Sequence, residues 1–254
     1  MSTDIDWSGW PEAYDRAIFD EVDSTMAEAA RNAPFLTRPT WIMARRQTAA
    51  RGRRGRAWAN PAGNFSATLV MYPNSTPDQA ALRSFVASMA LYETLAKVVD
   101  PAKLGLKWPN DVLLAGGKVA GILLEASGQG TGTDWLSIGI GINLQTAPTP
   151  VEVEPRALPP VAVADHSPAR LPVEGVLFEL AVAFDRWETS FQTYGFEPLR
   201  QNWLRHAARL GQPITARTGN TETLGTFETV DAQGNLILNT ARGRQAIAAA
   251  DVYF

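Results

Sequence analysis

Two apolar runs, WIMA over Trp41 to Ala44 and FSATLVM over Phe65 to Met71, are short, bounded by polar residues and rich in strand-forming types, and they predict β-strands. Ahead of them, Thr25 and Glu28 have the spacing of a capping box before an Ala-rich stretch, which predicts a helix with Ser24 and Thr25 at its mouth. Between Asp78 and Val99, Leu82, Phe85, Val86, Met89, Tyr92 and Leu95 recur at helical spacing, as on a helix packed against a sheet. The segment LGLKWPNDVLLAGGKVAGILLEA reads as strands broken at Pro109-Asn110-Asp111 and turned at Gly116-Gly117. Trp135 to Leu144 alternates Gly with Ile, a strand whose missing side chains allow a close approach to its backbone. From Gln145 to Pro172 the chain is Pro-rich and weakly patterned, which predicts a surface excursion.

A further helix opens at Pro172, with Val173, Val176, Leu177, Leu180, Phe184, Trp187 and Phe191 on one stripe, and a shorter one surrounds Leu199 to Leu204. After Gly211 the texture changes to the alternating runs ITART, TLGTFETV, NLILNT and QAIAAADVYF, parted by turn residues. These predict a small antiparallel barrel as a second domain. The expected organisation is α+β, with a first domain over residues 1–207 and the barrel over 208–254.

Composition narrows the chemistry. A chain of 254 residues, 45% of them hydrophobic, buries a substantial core. It has no cysteine and only two histidines, His166 and His206, which argues against disulfides, thiolate or His metal sites and a Cys or His catalyst. Positioning and charge must then do the work. No run is apolar over a membrane-spanning length, and the N-terminus is too acidic for a signal peptide, so a cytoplasmic enzyme with no membrane partner is expected.

Charge is concentrated. Eight arginines and no acidic residue lie between Glu28 and Asp78, in a chain of formal net charge -3. Arg45, Arg46, Arg51, Arg53, Arg54 and Arg56 are assigned to the loop between the first two strands, with Gly52 and Gly55 for backbone freedom and Trp58 as its aromatic. Such a loop is a solvated face, a nucleic-acid contact or a triphosphate site, and the net acidity of the chain favours one concentrated anion site. Mutual repulsion predicts that Arg45 to Trp58 becomes ordered when a ligand binds. Gly-Ile-Gly lacks the rest of a dinucleotide fingerprint, and GGKV lacks the Ser or Thr of a P-loop.

Taken together, DST at Asp23 to Thr25, Q-x-x-x-RGRRGR-x-W at Gln47 to Trp58, KWPND at Lys107 to Asp111, K-x-AGIL-x-E at Lys118 to Glu125 and GIGIN at Gly139 to Asn143 resemble the biotin protein ligases, in that family's order. The resemblance implies a catalytic domain similar to the class II aminoacyl-tRNA synthetase core, followed by an SH3-like barrel. It implies that ATP and biotin are substrates, with Mg2+ accompanying ATP, and that biotinyl-5'-AMP is formed and passed to a lysine of a biotin carboxyl carrier protein. Ser24, Thr25, Gln47, Arg51, Gly52, Arg53 and Lys118 match the family's biotin contacts, with Met26 and Gly121 in the same motifs. Arg51, Arg53, Arg54, Arg56, Trp58, Lys107, Asn110 and Asn143 fall to ATP, with Trp58 stacking on adenine. Arg51, Lys118 and Asp111 are the candidate catalytic residues.

Three departures accompany the resemblance. Met26 stands where the family usually has Asn, Ala50 stands where it has Gly, and the chain stops soon after the last barrel strand. Only about twenty residues precede Asp23, too few for the winged-helix module of the family's repressors, so a ligase without DNA binding, monomeric or homodimeric, is expected. A lipoate ligase of similar fold and an oligonucleotide-binding protein are the competing readings.

Overall fold

In the computed structural model, residues 5–58, 61–128, 132–149, 156–169 and 172–254 are described. The opening strand β1 (Asp15–Val22) runs parallel to β2 (Thr40–Gln47), and α1 (Thr25–Asn32) lies between them in sequence. Next come β3 (Phe65–Met71), β4 (Leu104–Lys107), β5 (Asp111–Leu114), β6 (Gly117–Ser127) and β7 (Trp135–Ile142). They form one seven-stranded sheet in the order β1-β2-β3-β7-β6-β5-β4, antiparallel except for its first pair.

Period-two alternation assigns each face a task. Phe65, Ala67, Leu69 and Met71 of β3 join Trp41 and Met43 in the main core, against α3 (Arg83–Ala96) and α4 (Val173–Tyr194). Ile42 and Val70 face the other way and pack with Ala29 and Ala33 of the α1 segment. Helix α1 covers only part of that second face, with Thr68 bonded to Thr25 beneath its start and Ser66 on the remainder.

The helical stripe predicted over Asp78 to Val99 is two helices, α2 (Pro77–Ala81) and α3, meeting at Leu82. Helix α5 (Phe196–Arg205) follows α4 after Gly195, whose φ of 74° suits glycine. Arg83 at the start of α3 donates to Glu188 of α4 from Nε at 2.9 Å and Nη2 at 2.7 Å, with both side chains buried and the guanidinium 5.3 Å from the Phe191 ring.

The C-terminal sheet contains β8 (Pro213–Thr218), β9 (Thr221–Val230), β10 (Leu236–Thr240), β11 (Gly243–Ile247) and β12 (Asp251–Tyr253). Its order is β11-β10-β9-β8-β12, all antiparallel, so among the described residues it is an open sheet with no pairing that closes the expected barrel. The final run QAIAAADVYF splits into two strands, and Ala250 between them is fully buried. Leu106 of β4 bridges Ala207, in the segment between α5 and β8, and the Trp108 indole donates to Gly234 O, in the turn between β9 and β10, at 3.0 Å.

Four local expectations change. Arg45 and Arg46 belong to β2, because pairing with β1 continues through Glu21↔Arg46 and Val22↔Gln47. The capping box is absent: Ser24 is the N-cap without a side-chain bond, and Glu28 instead bonds Arg31 and Asn32. The β5–β6 turn carries its positive φ at Ala115 (49°) and Gly116 (84°), while Gly117 enters β6. Part of the Pro-rich excursion is interior, since Val161 N donates to Lys118 O and Ala162 and Val163 are buried; residues 150–155 and 170–171 lie outside the described residues.

The Arg83–Glu188 pair generates a stability prediction. Removing one buried partner strands the other charge, so Glu188→Ala should cost about 3–5 kcal/mol in urea unfolding. The double variant Arg83→Met/Glu188→Leu should recover most of that loss.

Candidate active site

A cavity of about 490 Å³ opens on the face of the seven-stranded sheet opposite α3 and α4. Its floor is made by strand backbone. In register, Ser66 of β3 faces Gly141 of β7, Gly141 faces Gly121 of β6, and Thr68 faces Gly139. A Cβ at Gly141 would come within 2.7 Å of the Trp58 ring, and one at Gly139 within 2.6 Å of Met26 Sδ. The Gly-Ile alternation therefore permits the close approach read from the sequence, and the approaching groups are the chain's own Trp58 and Met26.

One end of the cavity is neutral and rich in hydrogen bonds. Ser24 and Thr25 are buried at the start of α1. Thr25 N donates to Gln47 Oε1 at 2.8 Å, its hydroxyl donates to the same oxygen at 3.2 Å, and Thr68 Oγ1 donates to Thr25 Oγ1 at 2.9 Å.

The other end is ionic. Asp111 sits between two lysines, 2.6 Å from Lys118 Nζ and 3.4 Å from Lys107 Nζ. Burial raises the Asp111 pKa, but the lysines outweigh burial and hold the carboxyl below its ordinary value. Burial likewise lowers Lys107, which Asp111 only partly offsets. Lys118 Nζ also lies 5.5 Å from the centroid of the Trp58 ring.

The arginine segment folds over this end as a small hairpin. Arg51 bridges Ala57, Gly52 N donates to Arg56 O at 2.7 Å, and the reversal uses positive φ at Arg54 (57°) and Gly55 (71°). Sequence-distant carboxylates neutralise it, so the segment is not the uncompensated one its local sequence suggests. Arg51 Nη2 donates to Glu125 Oε2 at 2.8 Å, and this bond raises the Arg51 pKa. Asp251 of β12 takes Arg54 at 3.0 Å, Arg56 at 3.2 Å, Arg217 at 3.5 Å and Arg53 at 3.9 Å. Arg45 pairs with Asp20 and Glu174, and Arg46 with Glu21, on the flank of β2.

The cavity thus gathers Ser24, Thr25, Met26 and Gln47 from the neutral end, Arg51, Gly52, Arg53, Arg56 and Trp58 from the hairpin, and Lys107, Asn110, Asp111, Lys118, Gly121 and Asn143 from the strands and their turns. Arg54 is not among its walls; it takes the left-handed turn position and pairs with Asp251 at 3.0 Å. Asn110 accepts from Arg53 at 3.2 Å, and buried Asn143 donates to Val161 O at 3.1 Å. Sequence reading missed Ser66 and Thr68, of which only Ser66 lines the cavity, and the lining residues Arg156, Asp251 and Tyr253. The first two were marked only by hydroxyl residues alternating with apolar ones along β3.

The model of the biotin/lipoate A/B protein ligase family matches residues 17–143, and that of the biotin protein ligase C terminal domain matches residues 210–254. The chain belongs to the biotin/lipoate A/B protein ligase family. It is 53% identical to the biotin--[acetyl-CoA-carboxylase] ligase of Paracoccus denitrificans, over 91% of this chain and 97% of that one. It is 28% identical to the bifunctional ligase/repressor BirA of Bacillus subtilis, over 92% of this chain and 73% of that one. In fold it is similar to the biotin protein ligase from Aquifex aeolicus in complex with biotin and ATP, with a TM-score of 0.74 and 24% identity over 94% of this chain and 98% of that one.

Against the pattern of this ligase family, the departures at Met26 and Ala50 have simple local accounts. Met26 lays its thioether on Gly139. Ala50 needs no left-handed backbone, since the positive φ values of the hairpin fall at Arg54 and Gly55, and its carbonyl accepts from Trp58 N at 3.0 Å.

Asp251 yields the second prediction. Asp251→Asn should release the hairpin and speed tryptic cleavage between Arg51 and Arg56 by about 5- to 30-fold, for about 1–2 kcal/mol of lost local closure. Burial raises the Asp251 pKa and the arginines lower it further, to a net value below the ordinary one. Its stabilisation is therefore complete above about pH 4 and is lost as pH falls through the depressed value. Amide exchange in the hairpin should show this acid step in the parent and lose it in Asp251→Asn.

Proposed function

We propose that this cavity activates biotin with ATP and transfers the biotinyl group to a lysine of a biotin carboxyl carrier protein. The observation that carries the reading is the joining, in one cavity, of a neutral hydrogen-bonding end to a cationic end whose charges are held by displaceable carboxylates. A carboxylate oxygen of biotin attacks the α-phosphorus of ATP, the bond to the bridging oxygen breaks, and pyrophosphate leaves. The carrier lysine, as the free amine, then attacks the acyl carbon of biotinyl-5'-AMP. AMP leaves, and the amine gives up a proton. Neither step needs a protein nucleophile; both need orientation and charge neutralisation.

Ser24, Thr25 and Gln47 hold the ureido ring, and the glycine floor admits the flat bicycle beside Met26. Arg51 and Lys118 neutralise the carboxylate and the α-phosphate, Asp111 orients Lys118, and Arg53 and Arg56 face the remaining phosphates. Trp58 supplies the ring on which adenine stacks, near Asn143. The volume lies within the range of small-molecule sites. Among the described residues no group of three or more His, Cys, Asp or Glu side chains is placed to hold a metal ion. The Mg2+ of this reading accompanies the triphosphate as part of the substrate, whose phosphates offer the hard oxygen ligands that ion prefers. In this reading residues 1–207 are the catalytic part and 208–254 the cap that brings Asp251. The partner is a carrier protein rather than duplex DNA, because the arginine hairpin is turned onto the cavity. Among the described residues no helix is long and apolar enough to cross a membrane.

The test supplies ATP, Mg2+ and biotin with a biotin carrier domain and follows pyrophosphate release and the mass of the carrier. Biotin-dependent release and a biotinylated carrier are expected, and a chain that instead labels the carrier only with lipoate overturns the reading. Lys118→Ala and Arg51→Gly should each slow adenylate formation by about 30- to 1,000-fold, the effect of losing one charged partner in a closed site. Their stabilities should differ. Arg51 and Glu125 are each more than a third exposed, so Arg51→Gly should stay within about 1 kcal/mol of the parent. Lys118→Ala leaves buried Asp111 with Lys107 alone and should cost about 1–3 kcal/mol, read from urea unfolding.

A further inference from the structure

We infer that Gly117, one position ahead of the K-x-AGIL-x-E motif, is a positioning residue for Lys118. Its missing side chain makes room for residues 159–161, and that stretch holds the backbone from which Lys118 enters the cavity. The role of Lys118 in this inference rests on the proposed reaction.

The sheet leaves one flank of Lys118 open. On the β5 side Lys118 pairs with Leu113, but β7 runs beside β6 only as far as Ala120↔Ile142. Residues 159–161 of the Pro-rich segment take the vacated place, parallel to β6 and bridged at Lys118↔Pro160. Lys118 N donates to Pro159 O at 2.9 Å, and Val161 N donates to Lys118 O at 3.0 Å. Asn143, where β7 turns away, donates from Nδ2 to Val161 O at 3.1 Å. Both polar backbone groups of Lys118 are thereby tied to the Pro-rich segment, while its Nζ reaches Asp111 at 2.6 Å. The segment is thus part of the frame that presents Lys118, and it also brings Leu158 and Pro160 to the cavity wall.

A side chain at position 117 excludes that neighbour. A Cβ there would come within 2.4 Å of Val161 Cγ1 and 2.7 Å of Pro159 O, and the oxygen is backbone that cannot rotate away. Gly117 is not among the positive-φ residues, so alanine suits the strand itself and acts through the segment it displaces. Gly116 is the opposite case. Its φ is 84° and a Cβ there meets nothing within 4 Å, so alanine strains the turn and displaces no neighbour. The two adjacent glycines separate the stability of the turn from the placement of Lys118.

The experiment compares Gly117→Ala with Gly116→Ala in adenylate formation at saturating ATP and biotin, in biotin affinity by titration calorimetry, in melting temperature and in amide exchange at Lys118 and Val161. Gly117→Ala should speed exchange at both amides and slow adenylate formation by about 10- to 100-fold, the scale of a reacting group misplaced by about 1 Å. Its biotin affinity should change far less, because Ser24, Thr25 and Gln47 stand on other elements. Gly116→Ala should melt lower and keep the parental rate. Adding Val161→Ala to Gly117→Ala removes the closest clash and should recover part of the rate. A Gly117→Ala protein that forms adenylate at the parental rate overturns the inference, as does one slowed no more than Gly116→Ala at an equal loss of melting temperature. Should Gly117→Ala not fold, Val161→Pro deletes the N–H given to Lys118 O and should slow the same step; a parental rate there is equally fatal. A parent that forms no adenylate from ATP and biotin removes the biotin reading itself, whereas a parent that forms it beside an unaltered Gly117→Ala removes only the role of Gly117.

Discussion

Cations gathered on one anion site repel one another, and the architecture here depends on how that repulsion is met before any ligand arrives. Asp111 lies between Lys107 and Lys118, and Asp251 faces four arginines. These carboxylates are held in place by folding, one at the start of β5 and the other at the start of β12. An arriving polyanion need not create order among free charges. It competes with carboxylates for cations that are already positioned, and part of its attraction is offset by the ion pairs it displaces. In the proposed reaction that exchange lets the site hold a triphosphate and then release pyrophosphate and AMP.

Beside this electrostatic end, the rest of the cavity is a problem of thickness. A ligand lying on a sheet needs backbone rather than side chains beneath it, and the alternating glycines of β7 with Gly121 of β6 provide such a floor. Trp58 and Met26 rest there. The hydroxyl residues of β3 sit on the same face, so the strand that anchors the core with Phe65, Ala67, Leu69 and Met71 also furnishes Ser66 to the cavity wall, with Thr68 buried behind Thr25. A one-residue slip of β3 would exchange core for wall, which ties register directly to binding.

The C-terminal sheet takes part in the site rather than merely following it. Trp108, between Lys107 and Pro109, donates to Gly234, and β12 delivers Asp251 onto the arginine hairpin. Both contacts join a motif of the first sheet to the second, so the orientation of the second sheet controls how the hairpin lies over the cavity.

Most elements were legible in the chain because their signals are local. The strand at FSATLVM, the stripe from Val173 to Phe191, the Gly-Ile alternation of β7 and the hairpin texture after Gly211 are periodicities of 2 or 3.6 that neighbouring residues impose on one another. The motifs that gather in the cavity could likewise be named from their spacing, as could the close approach at Gly139 and Gly141. Tertiary structure decided what depends on meetings between distant residues. Arg45 and Arg46 became strand because β1 pairs alongside them; Glu28 left its capping role for Arg31 and Asn32; the hairpin arginines found Glu125 and Asp251, 74 and 195 positions away along the chain for Arg51 and Arg56. No window of sequence contains both members of such a pair.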